Sequence, residues 1–207
     1  MKNNIGLLLS KRALLNGTRD AYVDSKSGLR LTFHELEERS NRLANAMLDQ
    51  GVEVGDRVAL LLMNSVEFLE SYFALAKIGA VVVPLNWRLV ADELEFILKD
   101  SGARTLIFGE EFIDLALDLH NRGEKTDLTT WIQVAEDSGE SHFSSDYDSV
   151  LNAGSNEEPP IRASDDDLLY IMYTSGTTGL PKGVVHTHLT TMWALFTFGA
   201  SVDTHEG

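Results

Sequence analysis

The densest chemistry in the chain lies in ten consecutive residues, Thr174-Ser-Gly-Thr-Thr-Gly-Leu-Pro-Lys-Gly183. Gly176 and Gly179 let the backbone turn tightly and come close to a ligand. Successive amide N–H groups in such a turn can form a nest for an anion. Thr174, Ser175, Thr177 and Thr178 add hydroxyl donors, Pro181 stiffens the exit and Lys182 brings a point charge. Four hydroxyls, two glycines and a lysine within nine residues suit phosphate oxygens. The order differs from a Walker A loop, which needs Gly-Lys followed by Ser or Thr. Here Lys182 follows Pro181 and precedes Gly183. Small-residue turns are common in any protein, but the apolar strand ahead of this one and the Pro-Lys-Gly behind it set it apart.

Other candidates carry weaker signals. His186 and His188 form an H-x-H pair that would share a face on a strand, but no carboxylate lies beside them to complete a metal site. Trp87 and Arg88 are expected to pack and to form an ion pair rather than to catalyse. Trp193, Phe196 and Phe198 could line an apolar tunnel, but an apolar helix packed on a sheet is the favoured reading. His34, His120, His142 and His205 carry no pattern.

The elements that must position the loop follow from periodicity and caps. Residues 31–51 read as a helix: Thr32 and Glu35 have capping-box spacing, Leu36, Leu43, Met47 and Leu48 form a stripe, and Gly51 closes it. Residues 58–63 and 81–85 are continuous apolar runs, as expected of strands buried on both faces. Between them, Asn64 or Ser65 caps a helix that ends near Gly79. A third helix spans 91–100, with Asp92 and Glu93 in its first turn and Lys99 in its last. Residues 104–108 and 128–134 read as strands flanking a helix at 111–121. Residues 168–173 form the strand before the glycine-rich loop, and 184–200 a short strand leading into an apolar helix. This alternation predicts an α/β fold with a mostly parallel sheet and helices on both faces. The stretch 135–167 differs: ten acidic residues against one arginine, with Pro159 and Pro160, predict a solvated acidic loop or a partly ordered excursion.

Composition sets outer bounds. The 207 residues are 43% apolar and 24% charged, enough for a substantial core. A formal charge of −15 argues against a nucleic-acid backbone as partner. The absence of cysteine excludes disulfides and thiolate chemistry. No apolar run reaches the length of a transmembrane segment, and a cytoplasmic location is expected.

Residues 168–188 closely resemble the signature of the AMP-forming acyl-CoA synthetases, the family that includes firefly luciferase and peptide-synthetase adenylation domains. Leu31-Thr-Phe-His-Glu-Leu36 is similar to the family's LTYxEL segment. Phe73-Ala-Leu-Ala-Lys-Ile-Gly-Ala80 with residues 81–86 is similar to its KxGAVxVPLN segment, and Asn86-Trp-Arg-Leu89, Glu93-Leu94 and Asp100-Ser-Gly-Ala103 follow in the expected order.

The resemblance implies that residues 1–207 are the N-terminal portion of an AMP-binding domain, the incomplete front of an adenylate-forming fold. The rest of that domain and the small C-terminal domain would be absent. It implies two steps: a carboxylate attacks the α-phosphate of ATP, and the thiol of coenzyme A then displaces AMP. Thr174, Ser175, Thr177, Thr178 and Lys182 would hold the β- and γ-phosphates, with Gly176 and Gly179 giving the loop freedom to close. Mg²⁺ would accompany the triphosphate. No residue here is assigned as catalytic or metal-ligating; the family's adenylation lysine lies in the C-terminal domain and is not Lys182. His188 matches a family histidine after the loop, at a helix start capped by Thr187, and is expected near the acyl or phosphate region. The run Val-Val-Val-Pro-Leu-Asn-Trp-Arg-Leu at 81–89 leans towards fatty acids as substrates. A peptide-synthetase adenylation domain and a non-catalytic nucleotide-binding module are the alternatives. The 207 residues alone are expected to be inactive.

Overall fold

The computed structural model describes residues 3–135, 141–174 and 179–202. The chain opens with helix α1 (Gly6–Asn16) and an antiparallel pair, β1 (Asp20–Val23) and β2 (Arg30–Thr32). Helix α2 (Phe33–Asp49) begins at a complete capping box: Glu35 N–H donates to the Thr32 hydroxyl, and Thr32 N–H to the Glu35 carboxylate at 2.8 Å. Strand β3 (Arg57–Leu61) leads to α3 (Val66–Ile78), which Ser65 caps and which Gly79 terminates in the left-handed conformation, φ 81°. Then come β4 (Val81–Pro84), α4 (Ala91–Ser101), β5 (Thr105–Gly109), α5 (Ile113–Asn121) and β6 (Thr130–Val134). A short strand β7 (Ser145–Asp146) and helix α6 (Tyr147–Ala153) precede β8 (Leu168–Thr174), β9 (Lys182–Thr187) and α7 (His188–Ser201).

Among the described residues, seven strands form the main sheet in the order β7-β6-β5-β3-β4-β8-β9. Every neighbouring pair is parallel except β8 and β9, which form an antiparallel hairpin. The mostly parallel sheet expected from the sequence is therefore present, with one antiparallel edge strand.

The apolar runs explain the layering. Successive side chains of β3 alternate between faces. Val58 and Leu60 pack with Leu43 and Met47 of α2, Leu75 and Ile78 of α3, and Leu151 of α6. Ala59 and Leu61 pack on the other face with Leu94, Ile97 and Leu98 of α4 and with Ala116 and Leu119 of α5. Helices cover both faces because neither face of these strands offers a polar side chain to water.

One expectation is corrected. Residues 135–167 are not simply a solvated acidic loop. Their sequence contains β7 and α6, and Tyr147, Val150 and Leu151 are buried against α2 and α3. The segment after α6 is strapped to α2 by side chains that satisfy its backbone carbonyls. Asn45 donates to the carbonyls of Ser155 and Glu157 at 2.8 and 2.9 Å, Asn41 to that of Asn156, and Arg42 to that of Gly154. Acid density misled because Asp148, Glu157, Asp166 and Asp167 are exposed while Tyr147, Val150 and Leu151, among them in sequence, are buried. A second difference concerns α7. Trp193, Phe196 and Phe198 are 63–64% exposed, so these rings do not pack on the sheet.

Candidate nucleotide-phosphate site

Strands β8 and β9 pair so that Thr174 stands opposite Lys182 and Tyr173 opposite Gly183. The first and last functional residues of the glycine-rich stretch are thus brought together at the open end of a hairpin. β8 runs parallel to β4, with Tyr170 beside Val82. That end of the hairpin therefore leaves the sheet at the carboxyl edge of the parallel strands, where open α/β sheets bind their ligands. Gly179 has φ 134°, a conformation that side-chain-bearing residues rarely adopt. Ser175, Gly176, Thr177 and Thr178 lie outside the described residues. Lys182 is exposed and makes no ion pair among the described residues, which leaves its charge open to an anion.

The neighbouring residues divide into supports and bystanders. Trp87 and Arg88 leave the same edge one strand away, after β4. The Arg88 guanidinium lies 4.5 Å from the Trp87 ring centroid, so the expected packing takes the form of a cation–π stack. No ion pair of Arg88 is present among the described residues.

His186 and His188 do not converge. The His186 ring stacks on Tyr170 at 4.4 Å, whereas His188 is fully buried at the start of α7, with Thr187 as the cap. The Ile5 N–H donates to His188 Nδ1 at 3.1 Å, which places the imidazole proton on Nε2. Burial lowers the His188 pKa to about 4, against the opposing pull of Asp167 and Asp165. The ring is therefore a neutral hydrogen-bond acceptor at neutral pH. His188 N–H also donates to the Asp167 carbonyl at 3.2 Å. The histidine thus ties the base of the hairpin to the N-terminal segment and is remote from the loop end of the hairpin.

No group of three or more His, Asp or Glu among the described residues is arranged to hold a metal ion. The cationic side chain that this hairpin itself contributes is Lys182. A contact that the motif did not single out lies just ahead of the loop. Tyr173 precedes Thr174 and donates its phenolic proton to Asp100 Oδ2 of α4 at 2.6 Å.

The chain is similar in sequence and in fold to known proteins. A family model described as AMP-binding enzyme matches residues 9–206. Over 204 residues the chain is 38% identical to a long-chain-fatty-acid–CoA ligase, FadD13, of Mycobacterium tuberculosis, covering 97% of this chain and 38% of that protein. It is 37% identical over 168 residues to a 3-oxocholest-4-en-26-oate–CoA ligase of Rhodococcus rhodochrous, covering 79% of this chain and 30% of that one. The chain therefore spans well under half the length of these relatives. Among solved structures, the inhibitor-bound N-terminal domain of FACL13 from Mycobacterium tuberculosis superposes with a TM-score of 0.90 at 37% identity, over 99% of this chain and 49% of that one. The anthranilate–CoA ligase AuaEII in complex with anthranoyl-AMP superposes with a TM-score of 0.89 at 27% identity, over 97% of this chain and 38% of that one. The family match over residues 9–206, the 38% identity and the shared fold together place this chain in the AMP-binding enzyme family.

Proposed function

We propose that this chain supplies the triphosphate grip of an ATP-dependent carboxylic acid–coenzyme A ligase acting on a fatty acid in the cytoplasm. The observation that carries the proposal is that Lys182, which makes no ion pair among the described residues, stands opposite Thr174 at the carboxyl edge of the sheet. The name printed for the Mycobacterium tuberculosis relative supports a fatty acid as the substrate and coenzyme A as the thiol. No described helix is long and apolar enough to cross a membrane.

The chemistry explains why such a grip is needed. A carboxylate oxygen attacks the α-phosphorus of ATP, and the bond from that phosphorus to the α,β-bridging oxygen breaks, releasing pyrophosphate. The thiolate of coenzyme A then attacks the acyl carbonyl, and AMP leaves with the electron pair. Two anions meet in the first step, so fixed donors must offset charge where it builds on the departing pyrophosphate. Thr174, Ser175, Thr177, Thr178 and Lys182 would hold the β- and γ-phosphates, with Gly176 and Gly179 letting the loop approach and release them. Mg²⁺ bound to the same phosphates would neutralise further charge.

The test is Lys182→Ala in the full-length protein, followed by acid-dependent ATP–pyrophosphate exchange with a panel of fatty and aromatic acids. A fall of roughly 10- to 100-fold is expected from one lost charge-assisted contact. Exchange at the wild-type rate would overturn the assignment.

A further inference from the structure

The residue just ahead of the loop is held from two sides. Across the hairpin, the Tyr173 ring lies over Gly183. A Cβ built on Gly183 would stand 3.1 Å from Tyr173 Cζ, 3.3 Å from its Oη and 2.9 Å from Ile171 Cγ2. Gly183 is therefore a glycine because a ring crosses it. Beyond Gly183 the phenol reaches the last turn of α4 and donates to Asp100 Oδ2 at 2.6 Å, short enough for a charge-assisted bond.

The partner is unusual for its position. A carboxylate near the C-terminal end of a helix faces the negative end of the macrodipole, which disfavours it. A phenol proton delivered to that carboxylate offsets the penalty. Burial first, and then the bond to Asp100, hold the Tyr173 phenol above its ordinary range, so it stays a proton donor at neutral pH. Helix α4 is a firm anchor, since Leu94, Ile97 and Leu98 are buried against β3 and β5.

We propose that the Tyr173–Asp100 hydrogen bond is a latch that positions the entry of the phosphate loop for ATP, making both side chains positioning residues. The latch ties Thr174, the next residue, to the rigid α4, and through the hairpin register it sets where Lys182 stands. This rests on the phosphate-grip function proposed for the loop.

The experiment uses the full-length protein with Tyr173→Phe, Asp100→Ala, Asp100→Asn and the Tyr173→Phe/Asp100→Ala pair. KM for ATP, kcat for acid-dependent pyrophosphate release and the thermal midpoint are measured for each. Tyr173→Phe keeps the ring over Gly183 and removes only the phenolic hydroxyl, which bonds Asp100 and, at the neighbouring position, Ser101. It and Asp100→Ala should each raise the KM for ATP about 5-fold while kcat stays within about twofold, as for a lost positioning contact. The pair should be no worse than either single change. Asp100→Asn, which keeps an acceptor oxygen, should recover part of the loss. An unchanged KM in Tyr173→Phe, effects that multiply in the pair, or a lowered thermal midpoint with normal KM would each overturn the latch. Lys182→Ala run alongside separates the two ideas. If Lys182→Ala raises the ATP requirement and Tyr173→Phe does not, only the latch fails. If neither does, the phosphate grip fails with it.

Discussion

Tyr147 donates its phenolic proton to Glu70 Oε1 at 2.9 Å, and Arg39 clasps the same carboxylate with two bonds of 2.6 and 3.0 Å. The three residues come from α6, α3 and α2, so this polar cluster ties the acidic stretch to the body of the fold. Glu70 is fully buried. Burial pushes its carboxyl above the ordinary range, and the bonds from Arg39 and Tyr147 pull against that shift. Arg39→Ala would strand a buried carboxylate and should cost about 3–5 kcal/mol of stability. Tyr147→Phe leaves the Arg39 pair in place and should cost about 1 kcal/mol. The sign with pH follows. A carboxyl with a raised folded-state pKa contributes stability that is present at low pH and lost as pH rises through that pKa. The deficit of Arg39→Ala should therefore shrink as the solution is acidified from neutrality. Urea unfolding of the variants at two pH values checks both claims, and a deficit that does not change with pH would sink the second.

Gly154 follows α6, where the chain presses against the backbone of α2. A Cβ there would stand 1.9 Å from the Arg42 carbonyl oxygen and 2.9 Å from the Ala46 nitrogen. These are backbone atoms of a buried helix and cannot turn aside. Its φ is −82°, so space and not conformation demands the glycine. Gly154→Ala should lower stability by about 1–3 kcal/mol or more, as overpacking does. A thermal midpoint equal to wild type would show that the strap can lift away without cost.

Much of the frame was legible because strands buried on two faces must be written as apolar runs. β3, β4 and β5 all appear that way, and Thr32, Ser65 and Gly79 mark helix ends by chemistry that acts within three or four residues. What stayed hidden depends on distant partners. The β1–β2 pair has no fully buried residue to announce it. Helix α1 was blurred by Leu14 and Leu15, which are 84% and 73% exposed and spoil the apolar stripe. At the site, the glycines and Lys182 were readable from composition alone. Asp100 was not, because it is 73 positions away from Tyr173 and locally reads only as a helix end.

Helix α6 offers a direct check on the corrected acidic stretch. Tyr147 is 1% exposed, Val150 7% and Leu151 2%, and Asp146 caps the helix by accepting from Ser149 N–H at 2.7 Å. Buried apolar anchors raise the cost of local opening. The amides of Val150 and Leu151 should therefore exchange with deuterium far more slowly than those of an exposed chain, by at least about 100-fold. Exchange at the rate of an unstructured peptide would restore the loop described by acid content alone.

His188 gives the stability a pH dependence of defined sign. Its imidazole is fully buried, accepts the Ile5 N–H at Nδ1, and has its pKa lowered from 6.5 to about 4, chiefly by burial. The charged groups acting on it, Asp165 and Asp167, pull the other way and do not win. Between those two values the unfolded chain binds a proton that the folded chain refuses. Stability from this group is thus complete above about pH 6.5 and is lost progressively as pH falls towards about 4. Protonation would also place a donor at Nδ1 against the donating Ile5 N–H and loosen the N-terminal segment from the base of the hairpin. His188→Asn offers Oδ1 in place of Nδ1 and cannot titrate. Its unfolding midpoint should therefore fall less than that of the wild type between about pH 7 and about pH 5. The other carboxylates titrate in both proteins and cancel in the difference. Parallel losses in the two proteins would mean that the fold leaves the His188 pKa where it stands in the unfolded chain, and the pH dependence assigned to this group would fall.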